Sequence, residues 1–263
     1  MFYDLVEPLP IGGVLVAFAV LALLMYELGF RVGRWWQNRT PEEAEGPTSM
    51  LVGSILALLA FLLAITMGMA ADRFDTRRGL VVAESNAIGT SYLRAEYLAE
   101  PASSTSRELL REYTVTRIVQ PGITEEAVLS RLAQGQEILD ELWAIAVELA
   151  REAPESEMLG LYVESLNETI DVYSTRNIAG IFARVPEAVM LLLYVGAILA
   201  LGMVGFNAGL TRRRSPLSAV VLIIVLGAVT TLIVDIDRPQ GGNVTVSQQP
   251  MEALAAQIAA PPE

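Results

Sequence analysis

Four apolar stretches constrain this chain more than anything else in it. They cover about 11–30, 49–69, 185–206 and 216–234, and a bilayer core takes about 20 mostly apolar residues as a helix. Lipid satisfies no backbone N–H or C=O, so a spanning segment of this kind has to be helical. A polar block at 72–184 separates the first pair from the second. The pattern predicts an all-α membrane protein: four transmembrane helices, with a helical-bundle domain inserted between spans two and three. The expected divisions are a first hairpin at 1–71, the polar bundle at 72–184, a second hairpin at 185–234 and a C-terminal tail at 235–263. Span one has no basic n-region before it and no A-x-A site after it, so it reads as retained rather than cleaved.

The residues that are missing narrow the chemistry. The chain has no Cys and no His. That excludes disulfides and Cys-ligated metals, together with the commonest general base and metal ligand. No enzyme activity, cofactor or bound metal is expected. Every basic residue is Arg, and the net charge is −12. Such a balance argues against nucleic-acid binding and against a polybasic lipid-binding arm.

Inside the polar block the periodicity is helical throughout. No helix breaker separates span two from Asp72, so the helix is expected to run on towards Glu100. There Leu80, Val81, Ala87, Ile88, Ser91, Ala95 and Leu98 share a stripe with Glu84 at its middle. Val82, Leu93 and Tyr97 lie opposite, with Asn86, which predicts a helix buried on both sides. Thr105-x-x-Glu108 reads as a capping box opening a second helix that ends near Pro121-Gly122. Thr124, followed by Glu125 and Glu126, opens a third, reaching about Ala153 and burying Leu129, Leu132, Ile138, Leu142, Trp143 and Leu149. A fourth runs from about Ser156 to Ala183 on a stripe of Val163, Ile170, Ser174, Ile178 and Ile181, with Asn167 central and Asp171 at the edge.

The short loops set an expected orientation. Arg31, Arg34 and Arg39 follow span one, with Trp35 and Trp36 after Arg34 as interface anchors, and Arg212 to Arg214 follow span three. Arg-rich short loops stay cytoplasmic. Both termini and the helical domain are then extracytoplasmic, in a multi-pass protein of the plasma membrane. Gly205-x-x-x-Gly209 in span three permits close helix approach.

Several motifs resemble a known family. Glu84-Ser85-Asn86-Ala87-Ile88-Gly89-Thr90, then Tyr92-Leu93-Arg94-Ala95, is similar to the signature of the bacterial bestrophin-like domain family. The resemblance continues through Leu166-Asn167-Glu168 with Asp171, then Asp235-Ile236-Asp237-Arg238-Pro239, and Gly242 to Pro250. It implies a small four-span protein related to bestrophins, which are pentameric chloride channels. The sequence departs from bestrophins in span two, where Phe61 is the only aromatic, and it lacks their calcium-clasp acidic cluster.

The candidate site residues follow. Glu84, Asn86, Arg94, Asn167 and Asp171 form a candidate buried polar network or ion path, with Arg176 a further partner for Glu84. Asp235, Asp237 and Arg238 form a candidate interface, pore mouth or docking site for the tail. The expected partners are the lipid bilayer, further copies of the chain in a homo-oligomer, and inorganic ions. Two functions fit: an oligomeric ion channel or pore, or a non-conducting sensor or scaffold whose helical domain binds a partner or ligand.

Overall fold

The computed structural model describes residues 2–40, 46–119, 123–181, 183–212, 214–239 and 242–259. Pro41, the expected helix end at Pro121-Gly122, and Arg213 lie outside them, as do the side chains of Glu125 and Ile181. The elements are α1 (Phe2–Val6), α2 (Ile11–Arg39), α3 (Gly46–Arg94), α4 (Ala102–Thr116), α5 (Glu125–Glu152), α6 (Glu157–Ile181), α7 (Glu187–Leu210), α8 (Pro216–Asp237) and α9 (Gln249–Ala259), with a 3-10 turn at Ala95–Tyr97. No strand occurs among the described residues. Four helices, α2, α3, α7 and α8, are long and apolar enough to cross a membrane. The chain divides into two compact units, one of 1–72, 184–238 and 242–244, the other of 73–183, 239–241 and 245–263.

The first unit is built on glycine. A Cβ on Gly29 would overlap the Gly202 carbonyl oxygen, and one on Gly33 would overlap that of Phe206. In return, a Cβ on Gly205 would strike the Tyr26 carbonyl, and one on Gly209 would come within 2.7 Å of the Arg34 amide nitrogen. Residue numbers rise together on both sides of this seam, so α2 and α7 run parallel. In lipid, where packing rather than the hydrophobic effect joins helices, small residues give the closest approach. The expected close approach at Gly205 and Gly209 is there, against Tyr26 and against Phe30, Gly33 and Arg34 respectively. On α2 the buried side chains Phe18, Ala22, Tyr26 and Phe30 recur every fourth residue. Leu21, Leu24 and Leu28 on α2, Leu191, Leu192 and Leu199 on α7 and Ile224 on α8 are exposed. A surface this apolar is untenable in water and suits acyl chains.

α3 is 49 residues long, about 73 Å at 1.5 Å per residue. Only about 20 residues fit the hydrocarbon core, so the apolar stretch 49–69 is the spanning part and the remainder lies beyond it. As expected, the helix does not break at Asp72.

The second unit buries Ile88, Tyr92, Leu110, Tyr113, Ile138, Leu142, Tyr162, Leu166 and Met251 in one core. Several expectations are corrected here. Helix α4 starts at Ala102 after Pro101, so Thr105 lies inside it and caps nothing. Pro101 has already fixed the backbone for helix entry. Thr124 does cap α5, accepting from the Ala127 N–H. On α5, Ile138 and Leu142 are buried, but Leu129 and Trp143 are exposed, and Val128, Leu139 and Ala146 take the inward positions. On α6 the buried side is Tyr162, Ser165, Leu166, Thr169 and Tyr173, not the Asn167–Ser174–Ile178 stripe, which is exposed. On α3, Val81, Glu84, Ala87, Ile88 and Ser91 point inward, while Val82, Leu93 and Tyr97 are 42–60% exposed.

Candidate functional site

Glu84 sits on the inward stripe of α3 with no solvent exposure. An isolated carboxylate there would be costly, and three side chains answer it. The Arg117 guanidinium, just past the end of α4, donates from Nε to Oε1 at 2.6 Å. Arg176 on α6 donates to Oε2. The Tyr113 hydroxyl, one turn before Arg117, donates to Oε1 at 2.8 Å. The cations are themselves held in place. Arg117 donates to the Asn177 side-chain oxygen at 3.0 Å and lies 4.8 Å over the Tyr173 ring. Arg176 donates to the Arg117 carbonyl at 3.2 Å and to the Gln248 side-chain oxygen at 3.0 Å. One carboxylate therefore ties together α3, α4, α6 and the segment leading into α9.

The electrostatics follow from that geometry. Glu84 lies outside the membrane-spanning part of α3. Burial pushes its carboxyl upward, but Arg117 and Arg176 together bring it below the ordinary glutamate value. Burial, then the Glu84 charge, push the Tyr113 phenol well above its ordinary value. The centre thus holds a carboxylate, two guanidiniums and a neutral phenol at neutral pH, with one excess positive charge.

Of the other sequence candidates for this network, none joins it. Arg94 donates to the Leu161 carbonyl at 2.7 Å and pairs with Glu164 at 3.5 Å, so it joins α3 to α6 at the surface. Asn86, Asn167 and Asp171 are exposed. Asn86 is two residues from Glu84, about 200° around the helix, and the α6 pair shares the outward face with Ile178. The second group lies in the first unit. Asp235 and Asp237 are buried at 4% and 1% exposure, so neither is a solvated interfacial acid. Asp237 accepts from the Val185 N–H at 2.9 Å and the Tyr3 hydroxyl at 2.7 Å. Asp235 accepts from the Asn243 N–H at 2.7 Å, and a Cβ on Gly242 would collide with it. Arg238 donates to the Val6 and Leu9 carbonyls at 2.7 and 2.9 Å. The three fasten the chain's N-terminal segment, the entry to α7 and the start of the tail around the end of α8.

Comparison with known proteins decides the family. The bestrophin-like domain model matches residues 14–251. The chain belongs to the bestrophin-like domain family. Among solved structures, a mutant of a bacterial bestrophin homologue from Klebsiella pneumoniae superposes with a TM-score of 0.65 at 18% identity, covering 93% of this chain and 96% of that one. A second structure of the Klebsiella pneumoniae homologue gives 0.63 at 19% identity, covering 92% and 95%. At this identity the likeness is one of fold. A search of curated proteins found no match.

In this bestrophin-like chain, sequence reasoning missed Arg117, Tyr113 and Gln248 as partners of the Glu84 centre. Tyr113 and Arg117 are four apart on one α4 face, which is a usable signal, but Arg117 falls beyond the last helical residue. Gln248 falls within the matching tail motif, and nothing local marks it as inward-facing. Among the described residues no group of carboxylates is placed to hold a metal ion.

Proposed function

We propose that this protein is an oligomeric ion channel or pore, with a helical domain inserted between spans two and three. The observation that carries the reading is the outward side of α3. Val82, Asn86, Thr90 and Leu93 recur at intervals of three or four along it and, like Tyr97 in the 3-10 turn that follows, are exposed in one chain. The helix continues directly from an uncharged span. A row of apolar and small polar groups on a polar domain calls for a covering surface, and further copies of the chain arranged about an axis supply it. Four helices alone enclose no aqueous path, whereas a ring of copies does. The Glu84 centre then fixes the rotation of α3, and so decides which residues face the axis. Asn86, Asn167 and Asp171 belong to the faces open to neighbouring copies, and Asp235, Asp237 and Arg238 brace the end of α8. The bestrophin likeness supports anions as the permeant species, while the acidic domain would concentrate cations. By the Arg-rich loops, the helical domain and both termini are extracytoplasmic.

The chain has no Cys, so Leu93→Cys introduces a single thiol on the outward face. Oxidation in membranes is expected to give cross-linked dimers, and purified protein in a planar bilayer is expected to carry current whose reversal potential in a salt gradient gives the selectivity. A strictly monomeric, silent protein would overturn the proposal in favour of a sensor or scaffold.

A further inference from the structure

Net charge hides how the arginines are distributed. The second unit holds 20 of the 30 acids but 10 of the 18 arginines, so it carries −10 of the −12. The first unit is nearly balanced, and its arginines are gathered. Glu27, Arg31, Arg34 and Asn38 form one stripe of α2, at intervals of four, three and four. The α7–α8 loop closes over this stripe at both ends. Arg212 donates to Asn38 at 2.9 Å, and Arg214 donates to Glu27 at 2.5 Å. Arg31 donates to the same Glu27 at 3.1 Å. The backbone seam sets the loop here, because Gly209 lies against the Arg34 amide. Arg212 holds a left-handed φ of 52°, a conformation that residues other than glycine rarely adopt.

The outcome is a long cradle of four arginines on one side of α2, with Arg31 and Arg214 at Glu27, Arg212 at Asn38 about 16 Å further along, exposed Arg34 between them, and Glu27 the only carboxylate paired into it among the described residues. Glu42, Glu43 and Glu45 follow in the sequence, outside the described residues. Two helix C-termini also point this way, but together they amount to about one negative charge, less than the excess. The cradle adjoins exposed Trp35 and Trp36, at 48% and 41%, with Arg39 stacked 4.1 Å over Trp35. Exposed indoles beside a span end mark headgroup depth.

We infer that Arg31, Arg34, Arg212 and Arg214 bind the phosphates of anionic phospholipids that line this side of α2. Guanidinium forks match phosphate oxygens in pairs, and the acyl chains lie along exposed Leu24, Leu28 and Val32 of the same helix. The inference needs only the first unit and does not depend on conduction.

The two indoles provide the assay. In the full chain carrying Trp143→Phe, the remaining fluorescence comes from Trp35 and Trp36. The protein is reconstituted in phosphatidylcholine bilayers containing about one third phosphatidylglycerol, with either lipid brominated in turn. Brominated phosphatidylglycerol is expected to quench more strongly than its mole fraction dictates. Each arginine removed is expected to cut that enrichment about fivefold, so Arg34→Gln with Arg212→Gln abolishes it. Quenching by brominated phosphatidylcholine that rises to its mole fraction in the double variant shows that the variant is inserted. Quenching by each lipid in proportion to its mole fraction in the Trp143→Phe protein, or enrichment that survives the double substitution, overturns the inference. Loss of the enrichment in millimolar inorganic phosphate at constant ionic strength would assign the cradle to free phosphate and overturn the lipid.

Discussion

Replacing Glu84 by glutamine removes one charge and keeps the shape. What remains is two guanidiniums in the bundle core, with side chains only 4% and 11% exposed, and no counter-ion. Breaking a buried pair from one side costs about 3–5 kcal/mol. The glutamine oxygen still accepts one hydrogen bond, which places the expectation near 3 kcal/mol. A domain's whole stability is about 5–15 kcal/mol. For a unit of this size, 3 kcal/mol corresponds to a Tm fall of roughly 10 °C. Thermal unfolding of the purified protein, followed by near-ultraviolet circular dichroism, reads this directly. A second variant separates charge from packing. Replacing the whole centre, with Glu84→Leu, Arg117→Met, Arg176→Met and Tyr113→Phe, removes the charges and the donor together. It is expected to recover most of the loss, since a buried ionic cluster exchanged for apolar groups is often neutral. A Glu84→Gln Tm within about 2 °C of the parent would refute the account of Glu84 as the charge that holds four segments together.

The same centre sets a pH response. A carboxyl held below its ordinary value in the folded state stabilises fully above the unfolded glutamate value, about 4.3. That contribution is lost as pH falls from there through the lowered folded value, so Tm measured against pH is expected to fall off below about pH 4.3 and the Glu84→Gln variant to lose this component. At the other extreme, Tyr113 is raised, so its contribution is lost as pH rises above about 10, and Tyr113→Phe is expected to flatten that limb. Gly33→Ala pushes a Cβ into the Phe206 carbonyl and is expected to cost about 1–3 kcal/mol or more, whereas Gly12→Ala meets nothing within 4 Å and is expected to gain up to about 1 kcal/mol; detergent-resistant Tm compares the two. Thr124→Ala removes the cap on α5 and is expected to cost about 1 kcal/mol, visible as faster amide exchange at residues 125–128.

The spans and the unbroken α3 were legible because continuous apolarity admits one backbone solution in lipid. Glu84 was legible as well, since a lone acid amid Val81, Ala87 and Ile88 has to be buried and partnered. Its partners were harder to read. Arg176 falls on a helix whose two sides both carry apolar residues three or four apart. Val163, Ile170 and Ile178 make as good a stripe on paper as Tyr162, Leu166, Thr169 and Tyr173. The side that carries Tyr162 and Tyr173 is the buried one, with Val163 and Ile170 packed at its edge and only Ile178 left exposed. The same ambiguity placed Asn167 and Asp171 inside, and it made both sides of α3 look buried, although one chain covers only one of them. The motifs from Glu84 to Ala95 identified the family without revealing which of their residues face inward. Ser85, for example, turned out to hold the Pro250 carbonyl of the tail at 3.0 Å.

The glycine seam also bears on how the chain is made. Gly29 and Gly202 meet backbone to backbone, yet they lie 173 positions apart in the sequence. At a synthesis rate of about 5–20 residues per second, α2 waits roughly 9–35 seconds for α7 to emerge. Throughout that interval its notched face meets only lipid, or whatever the insertion machinery offers in place of α7. A backbone-to-backbone contact of the folded protein therefore has to wait until more than two thirds of the chain has been made.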